Sequence, residues 1–336
     1  MTGPAKLAIA AAALCAAIAP PAAAKAATAP AQVFFPNPVQ TLRNESLTDQ
    51  KDANYPALAA AYRRATLTDL DGSGTLTGTY AKVESQTGKP ARDAGSGFIY
   101  TRDEDQFEQV MGYYWVTQAQ HYIQSLGFGS TLPPVNKRQQ LLRIDQFGGD
   151  NSFYRNGTKK LTITLGKGGV DDAEDGEVIV HEYGHAVQDD QVPGFGSTLE
   201  AGSIGEAFGD YLAVTVSSAV TRDTSFQEPC VADWDSTSYT PGPIHCLRRL
   251  DGTKHYPEDV EGEVHADGEM WSAALWRAHG LIGNSMLTDK VIIAAQFGFK
   301  PNTTFRAAAQ QTIATAQGYG VASQFRQAFT ERGFLG

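Results

Sequence analysis

Apolar residues recur with two different periods along this chain, and each period predicts a different kind of element. Residues 65–100 alternate apolar and polar side chains as a β-strand does, and residues 139–166 contain further strand-like runs. Residues 104–126 place apolar side chains three or four positions apart, and so does the chain after Gly202, which predicts helices. Strands followed by helices predict an α+β protein.

The segment Asp69–Gly74 resembles the start of a calcium-binding EF-hand loop. Such a loop requires a glutamate at position 80, and this chain has Tyr80 there. The pair Asp71-Gly72 within the segment is typical of a hairpin turn. We therefore predict a turn between two strands at this point.

The first 26 residues have the composition of an export signal. Lys6 supplies the positive charge, residues 7–18 form an alanine-rich apolar run, and small residues around Ala24 offer cleavage sites. The apolar run is too short to span a membrane comfortably. We expect a signal peptide at residues 1–26, a secreted, extracellular protein, and no stable membrane insertion.

The expected export of the chain bears on whether its cysteines form a disulfide. Cleavage of the signal would remove Cys15 and leave Cys230 and Cys246. Two cysteines in an exported chain predict a disulfide. Zinc binding by these thiols would need partners at C-x-x-C spacing, which the sequence lacks.

The net charge of the chain bears on which partners it could bind. The chain has 27 basic and 37 acidic residues, a net charge of -10, and no long basic run. This balance argues against nucleic acid as a partner, and we expect a monomer. Residues 27–64 are rich in proline and alanine and then polar, so they are compatible with either an ordered arm or a short pro-segment.

The stretch His181-Glu182-Tyr183-Gly184-His185 contains two histidines four positions apart. On a helix both imidazoles leave the same face one turn apart, so both can bind one zinc ion. Glu182 would lie beside them, close enough to take a proton from a water on the metal. We therefore predict one catalytic Zn2+ bound by His181 and His185.

A second predicted helix supplies a third ligand. Its apolar stripe consists of Ile204, Phe208, Leu212 and Val216. Glu206 and Asp210 are four positions apart and share a face of this helix. Glu206 can complete a zinc site of two histidines and one glutamate, and Asp210 can accept the free N–H of a ligand imidazole.

These motifs resemble the gluzincin metallopeptidases, the thermolysin and fungalysin relatives. HEYGH is followed by GSIGEAFGD, and residues 262–276 (GEVHADGEMWSAALW) are similar to the fungalysin pattern G-V-H-x-x-G-E-V-W-A-x-x-L-W. The resemblance implies a zinc endopeptidase with protein or peptide substrates. It implies His181, His185 and Glu206 as zinc ligands, Glu182 as general base, Asp210 as the partner of His181, and His265 as the donor to the oxyanion.

The resemblance also implies an architecture and a way to bind substrate. We expect a strand-rich N-terminal lobe at residues 65–198, which carries the metal helix, and a helical C-terminal lobe at residues 199–336, with the zinc site between them. Asn151 and Ser152 are similar to an edge-strand element that hydrogen-bonds the substrate backbone, although Ser152 replaces an alanine. The carboxylate that orients His265 is left open among Asp259, Glu261 and Glu263.

The sequence leaves open whether calcium is bound and which function the zinc site serves, and it departs from the family at one residue. The acidic run at residues 171–177 could hold one Ca2+, but an acidic start of the metal helix is an equally good interpretation. The family's auxiliary tyrosine has no counterpart between His185 and Glu206, where Phe195 is the only aromatic residue. A secreted zinc-binding module without catalysis, or a hydrolase of other bonds, would also be compatible with the zinc ligands.

Overall fold

The computed structural model describes residues 1, 27–85, 88–93, 95–156, 161–222 and 229–336. The predicted signal peptide, apart from Met1, lies outside these residues. Among the helices within the described ranges, none is both long and apolar enough to cross a membrane.

The described strands form three sheets. Strand β1 (Ala27–Val33) pairs antiparallel with β2 (Arg63–Leu70). Four strands form a sheet in the order β3-β4-β6-β5, and their bounds are Ala81–Val83 for β3, Gln140–Arg143 for β4, Ser152–Arg155 for β5 and Thr162–Leu165 for β6. Strand β5 pairs antiparallel with β6 and forms an edge of this sheet. Strands β7 (Cys230–Val231) and β8 (Arg248–Arg249) form a short antiparallel pair.

Helices dominate the second half of the chain. Their bounds are Pro38–Leu42 for α1, Gln106–Ser125 for α2, Gly176–Gln191 for α3, Leu199–Thr221 for α4, Val264–Ile282 for α5, Ser285–Gln296 for α6, Phe305–Gln317 for α7 and Ala322–Glu331 for α8. Short 3-10 turns occur at Pro56–Leu58, Asp172–Glu174 and Asp235–Ser238. The predicted α+β class is confirmed.

Capping side chains explain where the site helices begin. Asp175 accepts a hydrogen bond from the backbone N–H of Glu177 at 2.9 Å, which starts α3. Thr198 caps α4, so this helix begins three residues before the predicted Gly202. Helix α4 packs between α3 and α5, and this three-helix layer carries most of the candidate site.

The loop at Asp71-Gly72 reverses the chain, but it is wider than a two-residue hairpin. The Asp71 N–H donates to the carbonyl of Thr77 at 2.9 Å, and Leu70 bridges to Gly78. The Asp71 carboxylate accepts the N–H of Ser73 at 2.8 Å, which closes the turn locally.

Residues 27–64 pack closely against the rest of the protein. Strand β1 is paired along its length, and Phe34 is fully buried against Phe107, with ring centroids 4.7 Å apart. Asn37 donates hydrogen bonds to Asp175 at 3.1 Å and to Asp233 at 2.5 Å. The segment is thus an ordered part of this fold, while its proteolytic fate stays a prediction.

The predicted disulfide is present between Cys230 and Cys246, whose Cα atoms lie 5.4 Å apart. Cys230 lies in β7, and the bond closes the loop that leads back to β8. The disulfide therefore holds together the two strands that deliver Arg248 to the candidate site.

Candidate metal and catalytic site

Helix α3 presents both histidines of the HEYGH stretch to one side. The rings of His181 and His185 have centroids 5.0 Å apart and meet edge to face. His181 is nearly buried, with 7% of its surface exposed. The i, i+4 spacing therefore gives the common face that the sequence predicts.

Glu206 of α4 faces both rings. Its Oε2 lies 3.2 Å from His181 Nε2, and its Oε1 lies 3.6 Å from His185 Nε2. One ligand atom of each residue lies within 4.8 Å of the others, so the three can converge on one ion. Two imidazole nitrogens and one carboxylate oxygen are a donor set that zinc prefers, and the residues fit that metal.

Two glycines allow α3 and α4 to come this close. A Cβ at Gly184 would lie 2.9 Å from Gly209 Cα. A Cβ at Gly209 would lie 2.7 Å from His181 Nδ1 and 3.0 Å from the His181 carbonyl oxygen. Both positions therefore exclude any side chain, and Gly209 in particular makes room for the ring of His181.

Replacing Gly209 with alanine is expected to weaken zinc binding and to lower the free energy of unfolding by about 1–3 kcal/mol, because the added methyl group must displace His181. Competition with a chromogenic chelator and urea unfolding measure the two effects. The control is Gly280→Ala in α5, where an added Cβ would meet no atom within 4 Å beyond its own stretch of helix. That change should be neutral or stabilising by up to about 1 kcal/mol. Equal effects of the two substitutions would contradict the steric argument.

Asp210 holds the other nitrogen of His181. The His181 Nδ1–H donates to Asp210 at 2.8 Å, which directs Nε2 toward Glu206. Arg248 in turn donates to both oxygens of Asp210 at 2.6 Å. Burial alone would raise the pKa of Asp210, but Arg248 and His181 hold it well below its usual range. Asp210 is therefore a fixed anion that orients the imidazole.

Glu182 lies beside the histidines, in the wall of the cleft. It is 5% exposed, and its Oε2 has no hydrogen-bond partner among the described residues. Burial raises the pKa of Glu182, against the lowering effects of His185 and His181. A carboxylate with a free oxygen and a raised pKa has the properties of a general base.

His265 approaches from the start of α5. Its Nε2 lies 3.3 Å from Glu206 Oε2, and half of its side chain is exposed. Its Nδ1–H donates to Glu263 at 2.7 Å, so Glu263 is the carboxylate that orients this ring. The other two candidates have different partners, since Asp259 accepts the N–H of His255 and Glu261 pairs with Lys254.

One cleft of about 830 Å³ is lined by His181, Glu182, His185, Glu206, Arg248 and His265. Asn151 and Ser152 lie in its wall, and Ser152 begins the edge strand β5. The Ser152 hydroxyl donates to Asp172 rather than pointing freely into the cleft. The structure thus places the predicted edge-strand element beside the candidate metal site.

The acidic run before α3 does not converge on one ion. Glu174 pairs with Arg102 at 2.8 Å, Asp175 caps α3, and Glu177 accepts hydrogen bonds from Ser217 and the Ala232 N–H. Asp171 and Asp172 point to two different groups of carboxylates. This arrangement favours an acidic start of the helix, and the calcium prediction gains no support.

Several residues of the site could not be predicted from the sequence. Arg248 has no motif around it and reaches Asp210 only because β8 is folded back beside α4. Asp150, Asp235 and Tyr239 also line the cleft, and they come from loops with no regular spacing. Phe195, the only aromatic residue between His185 and Glu206, lines the cleft as well.

Comparison with known proteins finds one matching family model. Residues 164–292 match the family model described as fungalysin metallopeptidase (M36). The resemblance to the fungalysin and thermolysin-like metallopeptidases is confirmed. The fungalysin-like segment runs from β6 into α6 and contains HEYGH, Glu206, Asp210 and His265. The match therefore supports a likeness to metallopeptidases over this segment.

The solved structures extend the likeness beyond this segment. The precursor of protealysin, a metalloproteinase from Serratia proteamaculans, superposes with a TM-score of 0.59 and 14% identity, over 80% of this chain and 92% of that chain. At this identity the likeness shows a shared fold, which is consistent with the expected two-lobed architecture. No curated protein matches the chain significantly.

Proposed function

We propose that this chain is a secreted, zinc-dependent endopeptidase. The observation that carries the proposal is the convergence of His181, His185 and Glu206 in one cleft with Glu182. The export signal predicted at residues 1–26 supports secretion, and the disulfide between Cys230 and Cys246 is compatible with it.

His181, His185 and Glu206 would hold the zinc ion. A bound zinc ion would supply Lewis acidity, which polarises a carbonyl group and favours deprotonation of water. Glu182 takes the proton of the attacking water and then delivers it to the leaving amine. Its buried position suits both steps, because a raised pKa makes the protonated form of Glu182 accessible.

His265 and the edge strand serve the substrate. His265 Nε2 faces the Glu206 side of the cleft, and we infer that it donates a hydrogen bond to the oxyanion that develops on the attacked carbonyl. Glu263 fixes the ring by accepting its Nδ1–H. An extended peptide would lie along β5, near Asn151 and Ser152, where an edge strand has free backbone groups.

Casein hydrolysis by the purified secreted protein tests the proposal. The expected result is cleavage that a zinc chelator abolishes and zinc restores, with about one zinc per chain. Zinc binding without cleavage would favour a silent zinc-binding module. A protein that binds no zinc would refute the proposed ligand set.

His265→Ala is expected to lower kcat for a peptide substrate by about 10²–10³-fold, because one donor to the oxyanion is lost. Zinc content should not change. Glu263→Gln, which leaves the ring in place but weakens its orientation, should cause a smaller loss. If His265→Ala removed zinc together with activity, His265 would instead be part of the metal site.

A further inference from the structure

Three carboxylates form a second group in the same cleft, and the proposed mechanism does not use them. One oxygen each of Asp150, Asp172 and Asp235 lies within 4.8 Å of the others. All three residues line the cleft that contains Glu182. Asp150 lies two residues before β5, Asp172 lies in the 3-10 turn before α3, and Asp235 lies in the 3-10 turn after β7.

The three carboxylates differ in how far they are exposed to solvent. Asp150 is exposed, whereas Asp172 and Asp235 are 2% and 5% exposed. A side chain that enters from the cleft would therefore meet one exposed and two buried carboxylates.

Each of the two buried carboxylates has one oxygen that no protein group within the described ranges satisfies. The Ser152 hydroxyl donates to Asp172 Oδ2, and the Tyr239 hydroxyl donates to Asp235 Oδ2 at 2.6 Å. The Oδ1 atoms of both residues are buried and have no hydrogen-bond partner among the described residues.

No described lysine or arginine forms an ion pair with any of the three carboxylates, and the nearby cation Arg248 is already bound by Asp210. Buried carboxylates without a counter-charge are costly. The group therefore favours a positively charged ligand that enters from the cleft.

We propose that Asp150, Asp172 and Asp235 form a subsite for a lysine or arginine side chain of the substrate. The inference rests on the proposed peptidase function and specifies its substrate class. Peptides with a basic residue close to the scissile bond would then be preferred.

The surroundings favour a long cationic side chain over a bare metal ion. Val178, Leu247 and the ring of Tyr239 line the same cleft and offer apolar surface to an aliphatic stem, while the carboxylates receive the charged end. The group also lies at the N-terminal end of β5, beside the edge along which a peptide would extend.

Matched peptides test the subsite. Fluorogenic peptides that differ only by lysine or norleucine are compared at each position beside the scissile bond, because norleucine keeps the stem and lacks the charge. At one position the value of kcat/KM should be about tenfold or more higher for lysine, since charge-assisted hydrogen bonds are strong. The ratio is measured within one enzyme, so it does not depend on the fraction that is folded.

Isosteric variants connect the preference to the residues. Asp172→Asn and Asp235→Asn should each reduce the lysine-to-norleucine ratio by about tenfold. The matched control is Asp189→Asn, which removes a carboxylate of the same cleft that lies outside the group and binds Tyr154. It should leave the ratio unchanged.

Binding gives a readout that does not require turnover. Labelled lysine and norleucine peptides bound to the Glu182→Gln protein should show the same ratio in Kd. Equal affinities, or a preference that survives both asparagine variants, would overturn the subsite.

Calcium provides a further discriminating outcome. Calcium-dependent thermal stabilisation that Asp172→Asn abolishes, with no lysine preference, would assign the group to a cation and overturn the proposal. If the wild-type protein hydrolysed no peptide, the proposed function would fail, and the ratio of Kd values would still decide whether the subsite exists.

Discussion

Glu182→Gln is expected to reduce peptide hydrolysis by about 10³-fold or more while zinc stays bound. Glutamine keeps the shape of the side chain but cannot accept the proton of water, so general-base catalysis is lost. His181, His185 and Glu206, which form the proposed ligand set, are unchanged. Steady-state kcat with a peptide substrate and zinc content per chain measure the two effects together.

An acid-to-amide change elsewhere on the same helix separates this effect from general damage. Asp190 lies near the C-terminal end of α3, accepts the N–H of Asn136 at 2.7 Å, and is not itself among the residues that line the cleft. Asp190→Asn should retain most of the activity. Full turnover by the Glu182→Gln protein would rule out Glu182 as the base, whereas loss of zinc together with activity would point to a disrupted site.

The two site helices could be predicted because their information is local. HEYGH and the pair Glu206 and Asp210 are each one helical turn long, so spacing alone places their side chains on one face. The pairing of His181 with Asp210 follows once α3 and α4 pack together. Glycines at 184 and 209 make that packing close, which gives them a physical role that the sequence pattern did not reveal.

The partner of His265 could not be chosen from spacing, since Asp259, Glu261 and Glu263 are all near it in the chain. The backbone conformation at the start of α5 determines which carboxylate contacts His265. Glu263 is the N-cap of α5 and accepts the N–H groups of His265 and Ala266, which holds its carboxylate beside the imidazole. The alternatives precede the helix and are drawn to Lys254 and the His255 N–H.

Two features of the cleft could not be predicted from the sequence for a different reason. They are the contact of Arg248 with Asp210 and the group of carboxylates formed by Asp150, Asp172 and Asp235. Each contact joins residues that are 20 or more positions apart, and at least one of the segments that it joins has no periodic pattern. The acidic run at 171–177 illustrates the problem, because neighbouring residues in it reach separate parts of the fold. Asp171 groups with Glu108 and Asp145, and Asp172 turns to the cleft.

Arg102 joins three such segments at one buried point. Its side chain is fully buried, and its guanidinium donates to Glu174 at 2.8 Å and to Asp49 at 2.5 Å. It also lies over the ring of Trp234, 5.3 Å from the centroid. Asp49 belongs to the N-terminal arm, and Glu174 lies in the turn that leads into the metal helix, so Arg102 couples the arm to the site.

Arg102→Met is therefore expected to lower the free energy of unfolding by about 3–5 kcal/mol, because it leaves Glu174 buried without a counter-charge. Urea unfolding monitored by tryptophan fluorescence measures the loss. Adding Glu174→Gln should recover part of it, since the uncompensated charge is removed. The control is Arg277→Met, which breaks an exposed pair with Glu331 and should change stability little. If both arginine substitutions cost the same, or if removing the Glu174 charge recovers nothing, the buried ion pair does not couple the arm to the metal helix.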